Sequence, residues 1–91
     1  MWQRTRVHQI LFYEYVKDVL ERRGPYRDAH LARIRGDARI VMAGALGDPV
    51  HGAAIVFRDA SVDEIEAFAA GDPYVEAGLI SARRIEPWNL V

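Results

Sequence analysis

His30 and Asp72 are the residues whose types suit proton transfer near neutral pH, because an imidazole titrates in that range and a carboxylate can orient and charge it. Read at about 100° per residue, His30 falls at the margin of an apolar helical stripe, some 40° from Ile34 and about 60° from Arg27. A side chain placed there can pack and face a cleft at once. It can equally be a packed histidine bonded to a backbone carbonyl. Asp72 stands in Gly71-Asp72-Pro73-Tyr74, held by its neighbours on both sides. Aspartate before proline is also an ordinary helix N-cap, so it too carries two readings. Arg27 is one helical turn before His30, where its guanidinium can clamp a carboxylate or enolate, or instead pair with Asp28. Tyr74 and Trp88 read as core or pocket wall. His51, in a loop, faces solvent unless that loop folds over the cleft and makes it a second polar contact.

Other chemistries are poorly supplied. With no cysteine, the chain has no disulfide, thiolate nucleophile or sulfur-ligated metal. Thr5, Ser61 and Ser81 are the only aliphatic hydroxyls, none of them in a nucleophile-elbow pattern, and Lys17 is the only lysine. His8, His30 and His51 match no local metal spacing, and the glycines form no phosphate-binding pattern. No metal and no cofactor are called for. A formal charge of −1 argues against nucleic acid as a partner. No apolar run approaches the ~20 residues that span a bilayer, and the first residues do not read as a secretory signal. A soluble cytoplasmic protein is the expectation.

The 91 residues, 51% of them hydrophobic, suit one domain over 1–91, with 1–6 as an N-terminal arm. Val7 to Val16 is rich in β-branched and aromatic residues and reads as a strand. Lys17 to Arg23 either extends that strand or leaves it. Gly24-Pro25 predicts a helix from Pro25 to about Arg35, stopped by Gly36. Arg39 to Leu46 and Ala53 to Arg58 read as a hairpin around the loop of residues 47–52. Ser61-Val62-Asp63-Glu64 is a capping box that opens a second long helix at Val62, with Ile65, Phe68 and Ala69 inward and Gly71 as its stop. Asp72-Pro73 then starts a short turn closed by Gly78, Leu79 to Glu86 is the last strand, and residues 87–91 form a tail.

This order, strand-helix-strand-strand-helix-strand, predicts a ferredoxin-like α+β sandwich, a four-stranded antiparallel sheet with two helices on one face. Both parities of the hairpin strands are apolar, which two helices cannot cover, so a second copy of the chain is expected over the open sheet face.

Arg27-x-x-His30-Leu31, Gly44-x-Leu46, Gly52, Asp72-Pro73-Tyr74-x-x-x-Gly78-Leu79 and Pro87-Trp88, in this order and spacing, resemble the YciI-like (YCII-related) domain family over nearly the whole chain beyond Val7. The resemblance implies a ferredoxin-like fold that pairs as a dimeric α+β barrel, with an active site containing a histidine and an aspartate, which carry over onto His30 and Asp72. Arg27 matches the family's arginine before the histidine, and Tyr74 stands where phenylalanine is common. Related proteins include muconolactone isomerase and chloromuconolactone dehalogenase, which remove protons from small lactone acids. The expectation is a cofactor-independent lyase, isomerase or dehalogenase-like enzyme for a small acidic or lactone-like substrate. His30 and Asp72 are its catalytic pair, and Arg27, Tyr74 and His51 its substrate contacts. The alternatives are a ligand-binding or sensing dimer without turnover, or a structural dimerisation domain.

Overall fold

The computed structural model describes residues 7–91, so the expected arm at residues 1–6 lies outside the described residues. Eight elements follow in order: β1 (His8–Tyr15), α1 (Val19–Arg22), α2 (Gly24–Arg35), β2 (Ile40–Leu46), β3 (Gly52–Arg58), α3 (Val62–Ala70), α4 (Pro73–Glu76) and β4 (Ile80–Trp88). The strands form one antiparallel sheet in the order β2-β3-β1-β4, the ferredoxin-like arrangement.

Local chemistry sets most boundaries as the sequence predicts. Ser61 Oγ accepts the Glu64 amide at 3.1 Å while Glu64 Oε1 accepts the Ser61 amide at 2.8 Å, so the capping box is complete. Pro25 sits in the first turn of α2, and Gly36 is its C-cap. Gly78 turns the chain out of α4 at φ +75°, a left-handed conformation that a side chain would strain. The undecided segment after β1 leaves the sheet as the short helix α1.

One boundary differs. Pro87 and Trp88 are not part of a tail but continue β4, paired with Gln9 and His8 of β1. Proline lacks the amide a central strand needs, but β4 is the outer strand, where that loss is tolerated.

The alternation of β1 and β3 sends Leu11, Tyr13, Ala53, Ile55 and Phe57 to the helix side, where they bury with Ile65, Phe68 and Ala69 of α3. A second, smaller cluster of Val19, Tyr74 and Leu79 joins α1 to α4. Helix α2 behaves differently, since His30 is its only buried residue. The strand beneath it, β2, is exposed over most of its length although it reads Ile-Val-Met-Ala-Gly-Ala-Leu. A space is therefore left open between α2 and the β2 side of the sheet. The opposite sheet face, which carries Ile10, Phe12, Met42, Val56 and Trp88, is covered by no helix, and Met42 is 58% exposed.

Candidate active site

Three helices and one strand bring the site together. Arg33 of α2 donates from Nη1 to the Phe68 carbonyl of α3 at 2.8 Å and lies over the Phe68 ring at 4.5 Å from its centroid. The Phe68 carbonyl also accepts the C-cap amide of Gly71 at 3.2 Å, so the Arg33 contact adds a second donor at the end of α3 and pins α2 against the segment leading to Asp72. His30, three residues earlier on α2, thereby faces Asp72. Asp72 itself is fixed as the N-cap of α4, accepting the Tyr74 amide at 2.9 Å. The capping and dyad readings are thus compatible, because one carboxylate does both.

His30 Nδ1 is 2.8 Å from Asp72 Oδ1 and 3.0 Å from Oδ2, with the two residues 4% and 1% exposed. Tyr13 of β1 completes the set, donating its hydroxyl to Asp72 Oδ2 at 2.8 Å. Burial opposes ionisation of Asp72, yet the hydrogen bonds from His30, the Tyr74 amide and Tyr13, with the attraction of His30, hold its pKa below the ordinary carboxylate value. Burial, then the Asp72 charge, push the Tyr13 phenol well up, so it remains a donor. An ionised carboxylate only accepts, so Nδ1 of His30 carries the proton. Nε2 makes no protein hydrogen bond among the described residues and is not sealed from solvent. In the neutral ring it holds a free lone pair, and an imidazole so held can take or give a proton there.

The ring plane is fixed as well. Tyr74 stacks on His30 with centroids 3.8 Å apart and planes within 5°, and Tyr15 meets Tyr74 edge-on at 6.2 Å. Tyr15 is pushed up to about 12, by burial first and then by the neighbouring Tyr74, so both tyrosines present neutral hydroxyls.

His30 opens on the space between α2 and β2, a cleft of about 460 Å³. Its volume lies within the usual range for small-molecule sites, about 300–1,000 Å³. Small residues of the sheet, Ala43, Gly44, Ala45 and Ala53, line one side, and Tyr15, Tyr74, Leu31 and Ile34 line others. Arg27 lines it, as the sequence suggests, and so do Arg23 and Arg35, which sequence reasoning missed. His51 is elsewhere: it is exposed in the β2–β3 loop with its ring against Gly47, and it is not among the residues lining the cleft. The structure therefore brings His30, Asp72, Arg27 and Tyr74 together, adds Tyr13, and leaves His51 apart. Tyr13 had one available signal. It shares its strand parity with Leu11, so its hydroxyl enters the core and must find a partner there. Among the described residues no cluster of His, Cys, Asp and Glu has the composition of a metal site, and no helix is long and apolar enough to cross a membrane.

Solved structures share this framework. The chain superposes on 5-chloro-2-hydroxyhydroquinone dehydrochlorinase (TftG) of Burkholderia phenoliruptrix AC1100, solved with 2,5-dihydroxybenzoquinone, with a TM-score of 0.77 and 25% identity over 90% of this chain and 93% of that one. PA3566 of Pseudomonas aeruginosa shares the fold at 12% identity and a TM-score of 0.56, covering 100% of this chain and 99% of that one. In sequence, protein YciI of Escherichia coli O6:H1 is 29% identical over 94 aligned positions, covering 90% of this chain and 96% of that protein. An uncharacterized protein of Haemophilus influenzae is 27% identical, covering 93% and 99%. The YCII-related domain model matches residues 8–89, a span that begins with β1, ends just past β4 and takes in His30 and Asp72. The chain thus belongs to the YCII-related domain family.

Proposed function

We propose that the protein is a small-molecule enzyme that moves a proton with His30, working without a cofactor in the cleft between α2 and β2. The observation that carries this reading is the imidazole held at Nδ1 by a buried carboxylate, 2.8 Å away, with Nε2 left free beside a cleft. In the proposed reaction Nε2 takes a proton from a carbon made acidic by an adjacent carbonyl. The imidazolium that forms is stabilised by Asp72, whose charge is itself maintained by Tyr13 and the Tyr74 amide. Arg27 neutralises the enolate that develops in the cleft, or a carboxylate the substrate already carries. Stacking on Tyr74 prevents the ring from swinging, so the base stays aimed. The likeness to TftG supports the class: that protein is a dehydrochlorinase, and removal of a proton is half of any loss of hydrogen chloride.

The working unit is proposed to be a homodimer that covers the open sheet face. Support comes from that face's apolar centre of Ile10, Phe12 and Val56, with Met42 and Trp88 exposed on it.

A panel of small lactones, enols and halogenated hydroxy-aromatics, followed for proton exchange or halide release, tests the reading. With a substrate in hand, His30→Ala and Asp72→Asn are each expected to lower turnover at least ~100-fold while the protein stays folded. Binding without turnover in the unmutated protein would instead make the cleft a sensing site. Turnover unaffected by His30→Ala would refute the proton-transfer role.

A further inference from the structure

We propose that the cleft selects elongated molecules carrying an anionic group at each end and a flat apolar middle. This rests on the reading of the cleft as a substrate site and names the substrate class it fits.

Arg23, Arg27 and Arg35 all line the cleft. Five other guanidiniums are committed: Arg22 to Asp18, Arg39 to Asp37, Arg83 to Glu66, Arg84 to Glu86, and Arg33 to the Phe68 carbonyl. None of the ion pairs among the described residues involves Arg23, Arg27 or Arg35. Three cations around one cavity without a carboxylate partner form an anion-binding lining.

Their spacing gives the shape. Arg27 and Arg35 are eight residues apart on α2, so at ~1.5 Å per residue their backbones stand about 12 Å apart along the helix axis. The sheet preserves that polarity. Arg27 and His30 belong to the end near Tyr15 and Tyr74, whereas Arg35 belongs to the end where α2 turns back toward Ile40. Between the ends, Ala43, Gly44, Ala45 and Ala53 offer little relief on one side, and Leu31 and Ile34 close the other. Such a slot suits a planar ring system. The reacting carbon then sits near the Arg27 end, within reach of His30, and Arg35 acts on the distant anion as a specificity residue.

The experiment is calorimetric titration of the whole protein, at fixed ionic strength, with benzoate, terephthalate, biphenyl-4-carboxylate and biphenyl-4,4′-dicarboxylate. The long dicarboxylate is expected to bind about tenfold or more tighter than its monocarboxylate, the effect of one added, partly desolvated charge pair. Arg35→Gln should remove most of that advantage while leaving the monocarboxylate affinity within about twofold, and Arg27→Gln should weaken both. Arg58→Gln, an exposed site outside the cleft, makes the same change in net charge and should match the unmutated protein. Equal affinity for the mono- and dicarboxylates overturns the two-ended reading. So does an equal loss in Arg35→Gln and Arg58→Gln, which would mean net charge alone. If the monocarboxylates bind and Arg27→Gln weakens them while no dicarboxylate preference exists, the two-ended inference fails and the proposed active site stands. If none of the four probes binds, the two-ended inference fails, and the proton-transfer reading stands or falls on the turnover panel alone.

Discussion

Tyr13→Phe isolates one hydrogen bond of the buried network. The ring is 2% exposed and packs with Leu11, Ala53 and Ile55, so phenylalanine preserves the core and deletes only the hydroxyl that donates to Asp72 Oδ2 at 2.8 Å. A hydrogen bond to a charged acceptor contributes about 1.5–3 kcal/mol. Oδ2 keeps a second donor, His30 Nδ1 at 3.0 Å, so it is not orphaned, and the expected loss lies near the lower figure, about 1.5 kcal/mol at pH 7. The pH dependence follows from Asp72. Its folded pKa lies below its ordinary value of 3.8, so its charge contributes stability that is full above that value and is lost as pH falls through the folded pKa. Removing Tyr13's hydroxyl raises the folded pKa back toward the ordinary one, so less stability remains to be lost in acid. The two proteins should therefore converge below about pH 4. Urea denaturation at fixed protein concentration, at steps from pH 7 down to pH 3, measures both quantities, and fixed concentration keeps self-association constant. A difference that is absent at pH 7, or as large at pH 3 as at pH 7, would refute the account of Tyr13 as a support of the Asp72 carboxylate.

Ser61→Ala removes one half of the capping box and should cost ~1 kcal/mol without affecting ligand binding, so an unchanged urea midpoint would mean that the reciprocal contacts do not stabilise α3. The protein should sediment as a dimer at micromolar concentration with about 1,200 Å² or more buried in total, and Met42→Glu should shift it toward monomer because Met42 lies on the open face. A monomeric unmutated protein under those conditions would exclude the proposed interface.

The parts of the fold legible in the sequence are those fixed by local chemistry. Ser61 and Glu64 satisfy each other's amides three residues apart, Asp72-Pro73 opens a helical turn, and the residues around Gly47 and Gly52 break the chain between two apolar runs. Each signal is complete within a few residues, so tertiary context has little to override. Pro87-Trp88 misleads for the opposite reason. Proline four residues from the last one reads locally as the end of a strand, but β1 still offers Gln9 and His8 as partners, and only the sheet order reveals that the edge strand tolerates the missing amide.

The site divides along the same line. His30 and Asp72 were visible by type, but what makes them a pair is Arg33 reaching the Phe68 carbonyl, a contact across 35 residues that no local pattern announces. Tyr13 reaches Asp72 across 59 residues, and in sequence it is one more aromatic in an apolar strand. The cleft is the least legible feature because it consists of what is missing. Strand β2 reads as fully buried from its apolar residues, yet α2 buries only His30, and the small side chains of Ala43, Gly44 and Ala45 leave the space unfilled. A helix that gives up packing to hold one histidine against a carboxylate, above a strand too small to fill the gap, is a local departure from core-forming rules. Such departures are where binding and catalysis concentrate, because a chain optimised only for stability would have filled the space with leucine.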